Sequence, residues 1–531
     1  MTQACLQELP YGKSSFEFLK ETNSIYVDKT DLIYELARHN ATVFLARPRR
    51  FGKSLLVSTL ESLFKHGLRD FHGLHIETRW EDKTYSVVHM DFSEIDEFST
   101  TDEFSVRFLK KIRSEFQKVG FRTNGDLDDF FVDLSNWLGS LPIRTLVILI
   151  DECDAPLTAC LHDSTLFNHV RSVLGRLFSI IKSKNGCMRF FFMTGITRYS
   201  NTSIFSAFNN LEDITLERRY GTLLGYTEEE LHAYFQPYID RATRVLGLKE
   251  SELMTKLRQQ YNGFSFDEDA KTRVYCPWSV LKFFKSPERG FQNYWYQSGG
   301  QPSVLMQYLK KQSLADPREY DQRQTVTVQQ LRTSVEYDKM PIIPLLTMAG
   351  YLTIKKVVVP GIFEVGYPNL EVSASMAELY ADELLRGQDR LSLGIPFLSS
   401  VMANGSLDDV VRHFNKAFAG LDYRSYPIVN EASCRAFLQI LLVGAAMIPR
   451  PEVHSALGRS DLEVETGRRY WVFELKFAKE PDHANHLLAE GVRQTSERQY
   501  GSALLKDREL LRAVLVFDKQ SRQFTRYQTV S

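Results

Sequence analysis

Apolar positions over the first 220 residues alternate between strand-like and helix-like spacing. Ala41 to Ala46 (ATVFLA) is a short apolar run that predicts a strand. From Gly52 to Lys65 the apolar positions Leu55, Leu56, Leu60, Leu63 and Phe64 fall at helical spacing. Ser86 to Phe92 (SVVHMDF) predicts a second strand. Thr145 to Ile150 (TLVILI) is continuously apolar, as expected of a strand covered on both faces of a parallel sheet, and Arg189 to Ile196 (RFFFMTGI) repeats that pattern. Strands separated by helical stretches predict an α/β layered domain ending near residue 220.

Beyond it, Thr227 to about Pro302 reads as mainly helical, punctuated by Tyr261-Asn262-Gly263-Phe264 and Cys276-Pro277-Trp278. A helical stretch near Leu331 to Met348 precedes Tyr351 to Val359 and Ile362 to Gly366, which predict a hairpin bent at Pro360-Gly361. Helix then hairpin fits a winged-helix-like module and equally any small α+β insert. From about Asp422 the pattern predicts a second α/β unit. It has a helix from Glu431, a hairpin near residue 467, a further helix and a last strand at Ala513 to Phe517. The expected division is therefore 1–220, 221–400 and 420–531. It agrees with the three or four domains that 531 residues suggest at about 150 residues each.

Composition narrows the class without naming it. The 65 Lys+Arg balance 66 Asp+Glu, which argues against a histone-like polycation and leaves room for a local basic groove. With 43% apolar residues the chain builds real cores and is not a disordered one. The longest apolar run, Phe437 to Ile448, is short of the ~20 residues of a spanning helix, so no membrane partner is expected. Met1 to Pro10 carries Glu8 and shows no basic-then-apolar leader, and the six cysteines are scattered without metal-ligand spacing. The expectation is a soluble, cytoplasmic protein.

Two segments carry chemistry. Ala46-Arg47-Pro48-Arg49-Arg50-Phe51-Gly52-Lys53-Ser54 lies between a strand and a helix, where loop and helix-start N–H groups cradle phosphates. In such a P-loop Lys53 reaches the β/γ oxygens of ATP and the Ser54 hydroxyl ligates Mg²⁺. The position six residues before Lys53, usually Gly, is Arg47. Arg47, Arg49, Arg50, Gly52, Lys53 and Ser54 make the expected phosphate-binding set. The strand Thr145 to Ile150 ends in Asp151-Glu152, at the end of a parallel strand where a nucleotide site places its Mg²⁺-linked carboxylate and its water-activating base. Asp151 takes the first role and Glu152 the second. Asp154, nearby, fits a helix cap. Arg189 to Ile196 leads to Thr194 as a γ-phosphate sensor and to Arg198, which either stabilises phosphate charge or serves a structural ion pair.

The second segment is C-terminal. Asp461-Leu462-Glu463-Val464-Glu465 and Tyr470 to Phe477 (YWVFELKF) both alternate, joined through Gly467-Arg468, a two-residue turn suited to type II′. That register puts Asp461 directly opposite Glu474, with Cβ atoms roughly 4.5–5.5 Å apart. Two carboxylates so close invite a divalent cation, Mg²⁺ or Mn²⁺. Lys476, on the same face as Glu474, is placed to position water and steady charge on a phosphate. The opposite face (Trp471, Phe473, Leu475, Phe477) is apolar, so the hairpin belongs to a core. Arg459, Arg468, Arg469, Lys479, Arg493 and Arg498 either contact phosphates or form an ordinary solvated surface.

RPRRFGKS at 47–54, LIDECDAP at 149–156, MTGITRYS at 193–200, NNLEDIT at 209–215 and YVDKT at 26–30 together resemble the AAA-ATPase-like family common in bacterial genomes. In that family Arg in place of the first loop Gly looks normal, and a restriction-endonuclease-like domain often follows at the C-terminus. The D…E-x-K arrangement at Asp461, Glu474 and Lys476 resembles the PD-(D/E)xK nuclease superfamily. That resemblance implies a supporting metal carboxylate in Glu431 and an added Q-x(n)-Y element in Gln494 and Tyr500; Ser460 stands where Pro precedes the metal Asp. The combined expectation is an ATPase joined to a Mg²⁺-dependent endo- or exonuclease acting on nucleic acid, DNA in the first instance, under nucleotide control. Its catalytic set is Glu152, Arg198, Glu431, Asp461, Glu474 and Lys476, and its metal ligands are Ser54, Asp151, Asp461 and Glu474. Oligomeric state is open. The alternative is a nucleotide-dependent switch or scaffold whose nuclease-like domain only binds nucleic acid or a partner.

Overall fold

The computed structural model describes residues 6–39, 41–95, 97–123, 125–161, 163–196, 211–295, 323–332, 341–376, 393–421, 423–424, 427–445, 447, 449–451, 454–455, 458–500 and 509–530. The chain divides into two compact units, Met1–Lys311 with Arg323–Glu371, and Gln312–Gln322 with Val372–Ser531.

The first unit is built on a five-stranded sheet of β1 (Thr42–Ala46), β2 (Ser86–Asp91), β3 (Leu146–Asp151), β4 (Met188–Gly195) and β5 (Glu212–Asp213). Every pairing is parallel and the order is β2-β3-β4-β1-β5. The four strands expected from apolar runs are present within a residue or two of their expected ends, and β3 and β4 are buried along their whole length. One face carries a core in which Phe44, Ile148 and Phe191 meet helices Thr101–Lys118, Leu127–Ser140 and Ser164–Ser183. Helix Lys53–His66 covers the other, with the Phe64 ring 5.1 Å from that of Phe190. The order places β4 between the loop-bearing β1 and the acid-bearing β3, so the two motifs open onto the same end of the sheet with Thr194 between them.

No boundary falls at residue 220. Helices Glu228–Leu246, Glu250–Tyr261 and Pro277–Lys285 share a core with Ile25 and Val27, which reach it from the N-terminal segment. The expected hairpin forms as β7 (Thr353–Val359) and β8 (Ile362–Gly366), and β8 also pairs with β6 (Gln324–Thr327). Of the helical stretch expected before it, Val328–Arg332 and Ile342–Ala349 are helices, and 333–340 lies outside the described residues. This small α+β layer is not an independent module. Thr353 Oγ1 accepts from the Ser265 N–H at 2.8 Å, and Gly350, at φ 87°, lies so close to Pro48 that a Cβ would approach the proline ring to 2.7 Å.

The second unit begins before residue 420. Its sheet runs β15-β14-β13-β12-β9: β9 (Pro449–Pro451), β12 (Leu462–Thr466), β13 (Arg469–Ala478), β14 (Glu509–Asp518) and β15 (Gln523–Val530). A short ribbon of β10 (His454–Ser455) and β11 (Gly458–Arg459) stands apart. β13 and β14 are parallel and are joined across helix Ala484–Arg498; the other pairings are antiparallel. Helices Leu398–Asn404 and Leu407–Ala419 belong to this unit, because Trp471 donates its indole N–H to the Met402 carbonyl and Phe414 packs on Phe473. Edge strand β15 has no continuous apolar run to announce it.

Candidate functional site

At the first unit's sheet end, β1 runs into the loop and Gly52 enters helix Lys53–His66 at φ 95°, a left-handed backbone that suits glycine. Arg49, Arg50, Gly52, Lys53, Ser54 and Glu152 line a cleft of about 560 Å³. Its other wall is apolar: Ile25, Val27, Leu223, Leu224 and Trp278. The Arg50 guanidinium stacks 4.3 Å over Trp278. Lys53 Nζ donates to the loop's own carbonyls at Arg47 (3.1 Å) and Pro48 (3.2 Å), and burial lowers its pKa against the pull of Glu152 and Asp151.

The acids are arranged around it. The Asp151 carboxylate accepts from the Glu152 N–H at 3.0 Å and from the Thr194 hydroxyl. Glu152 sits at φ 48°, a strained position for a non-glycine residue, and burial raises its pKa, opposed by Lys53. Thr194 is fully buried, spends its hydroxyl on Asp151 and is not among the residues that line the cleft. Asp154 holds the N-cap position of helix Ala155–Ala159 without capping it; its carboxylate accepts from the Ile196 N–H at 3.0 and 3.2 Å, tying β3 to β4. Arg198 lies outside the described residues.

Arg47 is a correction. It is 1% exposed, and it donates to the carbonyls of Ala46, Thr215 and Tyr220 while its guanidinium stacks 4.3 Å over Phe266. It lines a small apolar cavity with Phe264 and Gly350, not the cleft. Arg47 therefore holds the loop from behind and is not part of the phosphate-facing set. Within the YVDKT segment Tyr26, Val27 and Lys29 line the cleft, while Asp28 accepts from the Thr30 N–H and hydroxyl and Lys29 pairs with Glu230 and the Thr222 carbonyl.

In the second unit the turn and register follow the alternation. Gly467 adopts φ 57°, Thr466 pairs with Arg469 and Leu462 with Phe473, and the ladder ends there, one residue short of the expected Asp461–Glu474 pair. Asp461 lies just beyond β12, where its Oδ2 accepts from the Leu475 N–H at 2.8 Å. Glu474 is 3% exposed; its Oε1 takes Lys476 at 3.2 Å, and its Oε2 is buried with no partner. Burial and the Asp461 charge push the Glu474 carboxyl up to about 7, against the pull of Lys476. For Lys476, burial lowers the pKa but Glu474 and Glu431 outweigh it, so the ammonium is held charged. Lys476 also donates to Gln494 Oε1 at 3.1 Å, and Gln494 Nε2 to the Tyr500 hydroxyl at 3.4 Å. Helix Ala484–Arg498 reaches this close because Gly491 faces Lys476 and Val514, where a Cβ would meet Val514 at 2.5 Å.

Glu431 opens helix Glu431–Gly444, capped by Asn430, and its carboxyl is raised by burial and by the Asp461 charge. A three-acid metal ring is not formed, however: among the described residues no group of three or more His, Cys, Asp or Glu gathers at metal-binding geometry. Asp461 is instead turned onto Leu475 N–H and, through Oδ1, onto Arg435 at 3.3 Å. Arg435 escaped the sequence reading, although its position one helical turn after Glu431 puts both on one face. A buried carboxylate oxygen without a donor, beside a second carboxylate, still fits a hard divalent cation.

A P-loop α/β unit followed by an α/β unit carrying D…E-x-K is the class that this geometry defines. Residues 10–205 match the family described as Predicted AAA-ATPase, and residues 429–527 match the PD-(D/E)XK nuclease superfamily. The chain is 28% identical over 480 residues to the "Uncharacterized protein in vnfD 5'region" of Azotobacter chroococcum mcd 1, covering 88% of this chain and 89% of that one. Among the described residues no helix is long and apolar enough to cross a membrane.

Proposed function

We propose that the chain binds and hydrolyses ATP·Mg²⁺ in its first unit and cleaves nucleic acid, with DNA as the substrate to test first, in its second, under nucleotide control. The orphaned Oε2 of Glu474, whose other oxygen takes a Lys476 clamped by Gln494 and whose carboxyl feels the Asp461 charge, carries the nuclease reading. Mg²⁺ or Mn²⁺ bound by Asp461 and Glu474 would polarise a phosphate and acidify a bound water. Lys476, held charged, steadies the developing phosphate charge, and Gln494 with Tyr500 keeps its ammonium aimed. In the ATP site Lys53 would exchange its two carbonyl acceptors for phosphate oxygens, Ser54 and Asp151 would hold the Mg²⁺, and Glu152 would orient water. The apolar cleft wall around Ile25, Val27 and Trp278 suits a nucleotide base. A cytoplasmic location, with no membrane partner, goes with this reading.

The test is cleavage of linear, circular and single-stranded DNA with Mg²⁺ or Mn²⁺, with and without ATP. Wild type is compared with Lys476→Ala and Lys53→Ala. Cleavage that disappears in Lys476→Ala and changes in Lys53→Ala supports the reading; cleavage unaffected by Lys476→Ala refutes it. The Arg435–Asp461 ion pair favours one second reading, a nucleotide-dependent switch whose nuclease-like unit only binds nucleic acid or a partner. ATP turnover with nucleic-acid binding, and no cleavage with any divalent metal, selects that reading.

A further inference from the structure

Asp461 has both carboxylate oxygens engaged by the protein, and the two engagements differ in kind. The Leu475 N–H, on β13, is fixed by the sheet. The Arg435 guanidinium reaches Oδ1 at the end of a long side chain, with only 19% and 17% of the two side chains exposed. An ion pair this sheltered is weakly screened, and the guanidinium occupies the one Asp461 oxygen that the backbone leaves to a side chain, so a cation using Oδ1 would have to compete with it.

We propose that Arg435 is a built-in counter-ion of the nuclease site. It neutralises Asp461 while no metal is bound, it competes with the divalent ion for Oδ1, and it is released towards the nucleic-acid phosphate when the ion binds. This rests on the metal reading given above. Without Arg435, the Asp461 and Glu474 charges, which already oppose each other, would keep only the Leu475 N–H at Asp461 and Lys476 at Glu474 as donors among the described residues. Arginine suits the second half of the role, since its planar fork binds phosphate oxygens in pairs. Its place one turn after Glu431 lets helix Glu431–Gly444 present an acid and a base to the same point. Removal of Arg435 therefore strengthens metal binding and weakens turnover, a combination that loss of folding does not produce.

The experiment is Mn²⁺ binding to the full chain without nucleotide, followed by the paramagnetic resonance of free Mn²⁺. It uses wild type, Arg435→Ala, Arg435→Lys and Glu474→Gln. The expected result is binding that is lost in Glu474→Gln and about tenfold tighter in Arg435→Ala. Arg435→Lys falls between wild type and Arg435→Ala, and DNA cleavage at saturating Mn²⁺ is slower with a raised KM in Arg435→Ala. Arg435→Ala that binds Mn²⁺ no more tightly than wild type, while Glu474→Gln loses it, overturns the counter-ion role alone. Mn²⁺ binding that Glu474→Gln leaves unchanged overturns the metal reading and this inference with it.

Discussion

Glu371, the last residue of the first unit, allows a quantitative test of burial. Its carboxyl is fully buried, accepts from the Ser279 hydroxyl at 2.7 Å and the Trp295 N–H at 2.8 Å, and is raised by burial from 4.5 to about 8. The folded state therefore holds a proton that the unfolded chain releases. The contribution of Glu371 to stability is greatest below pH 4.5 and falls as pH rises from there to 8, by at most about 1.4 kcal/mol per pH unit. Over that whole interval the ceiling is roughly 5 kcal/mol, and between pH 4.5 and 7 it is roughly 3. Glu371→Gln keeps the shape of the neutral acid: its carbonyl accepts from the Trp295 N–H, and its amide donates to the Ser279 oxygen once that hydroxyl, which donates to Glu371 in the wild type, rotates away. Urea unfolding followed by tryptophan fluorescence reports the first unit, since Trp278 and Trp295 lie beside the site. We expect variant and wild type to agree within about 0.5 kcal/mol at pH 5, with the variant about 2–4 kcal/mol more stable at pH 8. A difference that does not change with pH refutes the burial argument. A variant less stable at pH 8 means that the ionised acid is compensated inside the fold.

Three further outcomes follow from individual contacts. Arg47→Ala removes hydrogen bonds to three carbonyls together with the stacking on Phe266 and should cost about 3–5 kcal/mol in urea unfolding, with ATP binding weakened in consequence; lost ATP binding at unchanged stability would return Arg47 to the phosphate-facing set. Gly263→Ala should destabilise the first unit by roughly 2–4 kcal/mol on the same assay, because Gly263 holds φ 104° and a Cβ would come within 2.2 Å of the Pro368 carbonyl. Gln494→Ala, which loosens Lys476 without removing it, should slow DNA cleavage by about 10–100-fold with DNA binding unchanged, read as a fall in kcat at constant KM.

Much of this molecule is local and was legible in the chain. The apolar runs of β1 to β4, the helix after Lys53 and the hairpin around Gly467 are set by residues a few positions apart, and period two through a two-residue turn is enough to fix the register from Thr466–Arg469 to Leu462–Phe473. The D…E-x-K and loop motifs were visible for the same reason. Lys476, Gln494 and Tyr500 were named as a motif, but their connection by hydrogen bonds depends on the crossover helix seating Gly491 over β13. Arg47 shows where local reading ends: the carbonyls that take it away from the phosphates lie at Thr215 and Tyr220, far along the chain. Arg435 meets Asp461 in the same way, across a strand and a helix. The domain boundaries also depended on distant partners, as Ile25 and Val27 join helices beyond residue 227 and Trp471 reaches back to Met402. Spacing along the chain encodes which face a side chain occupies. Which group waits on that face, whether phosphate, carbonyl or carboxylate, is settled only when elements far apart in sequence pack and bury their charges together.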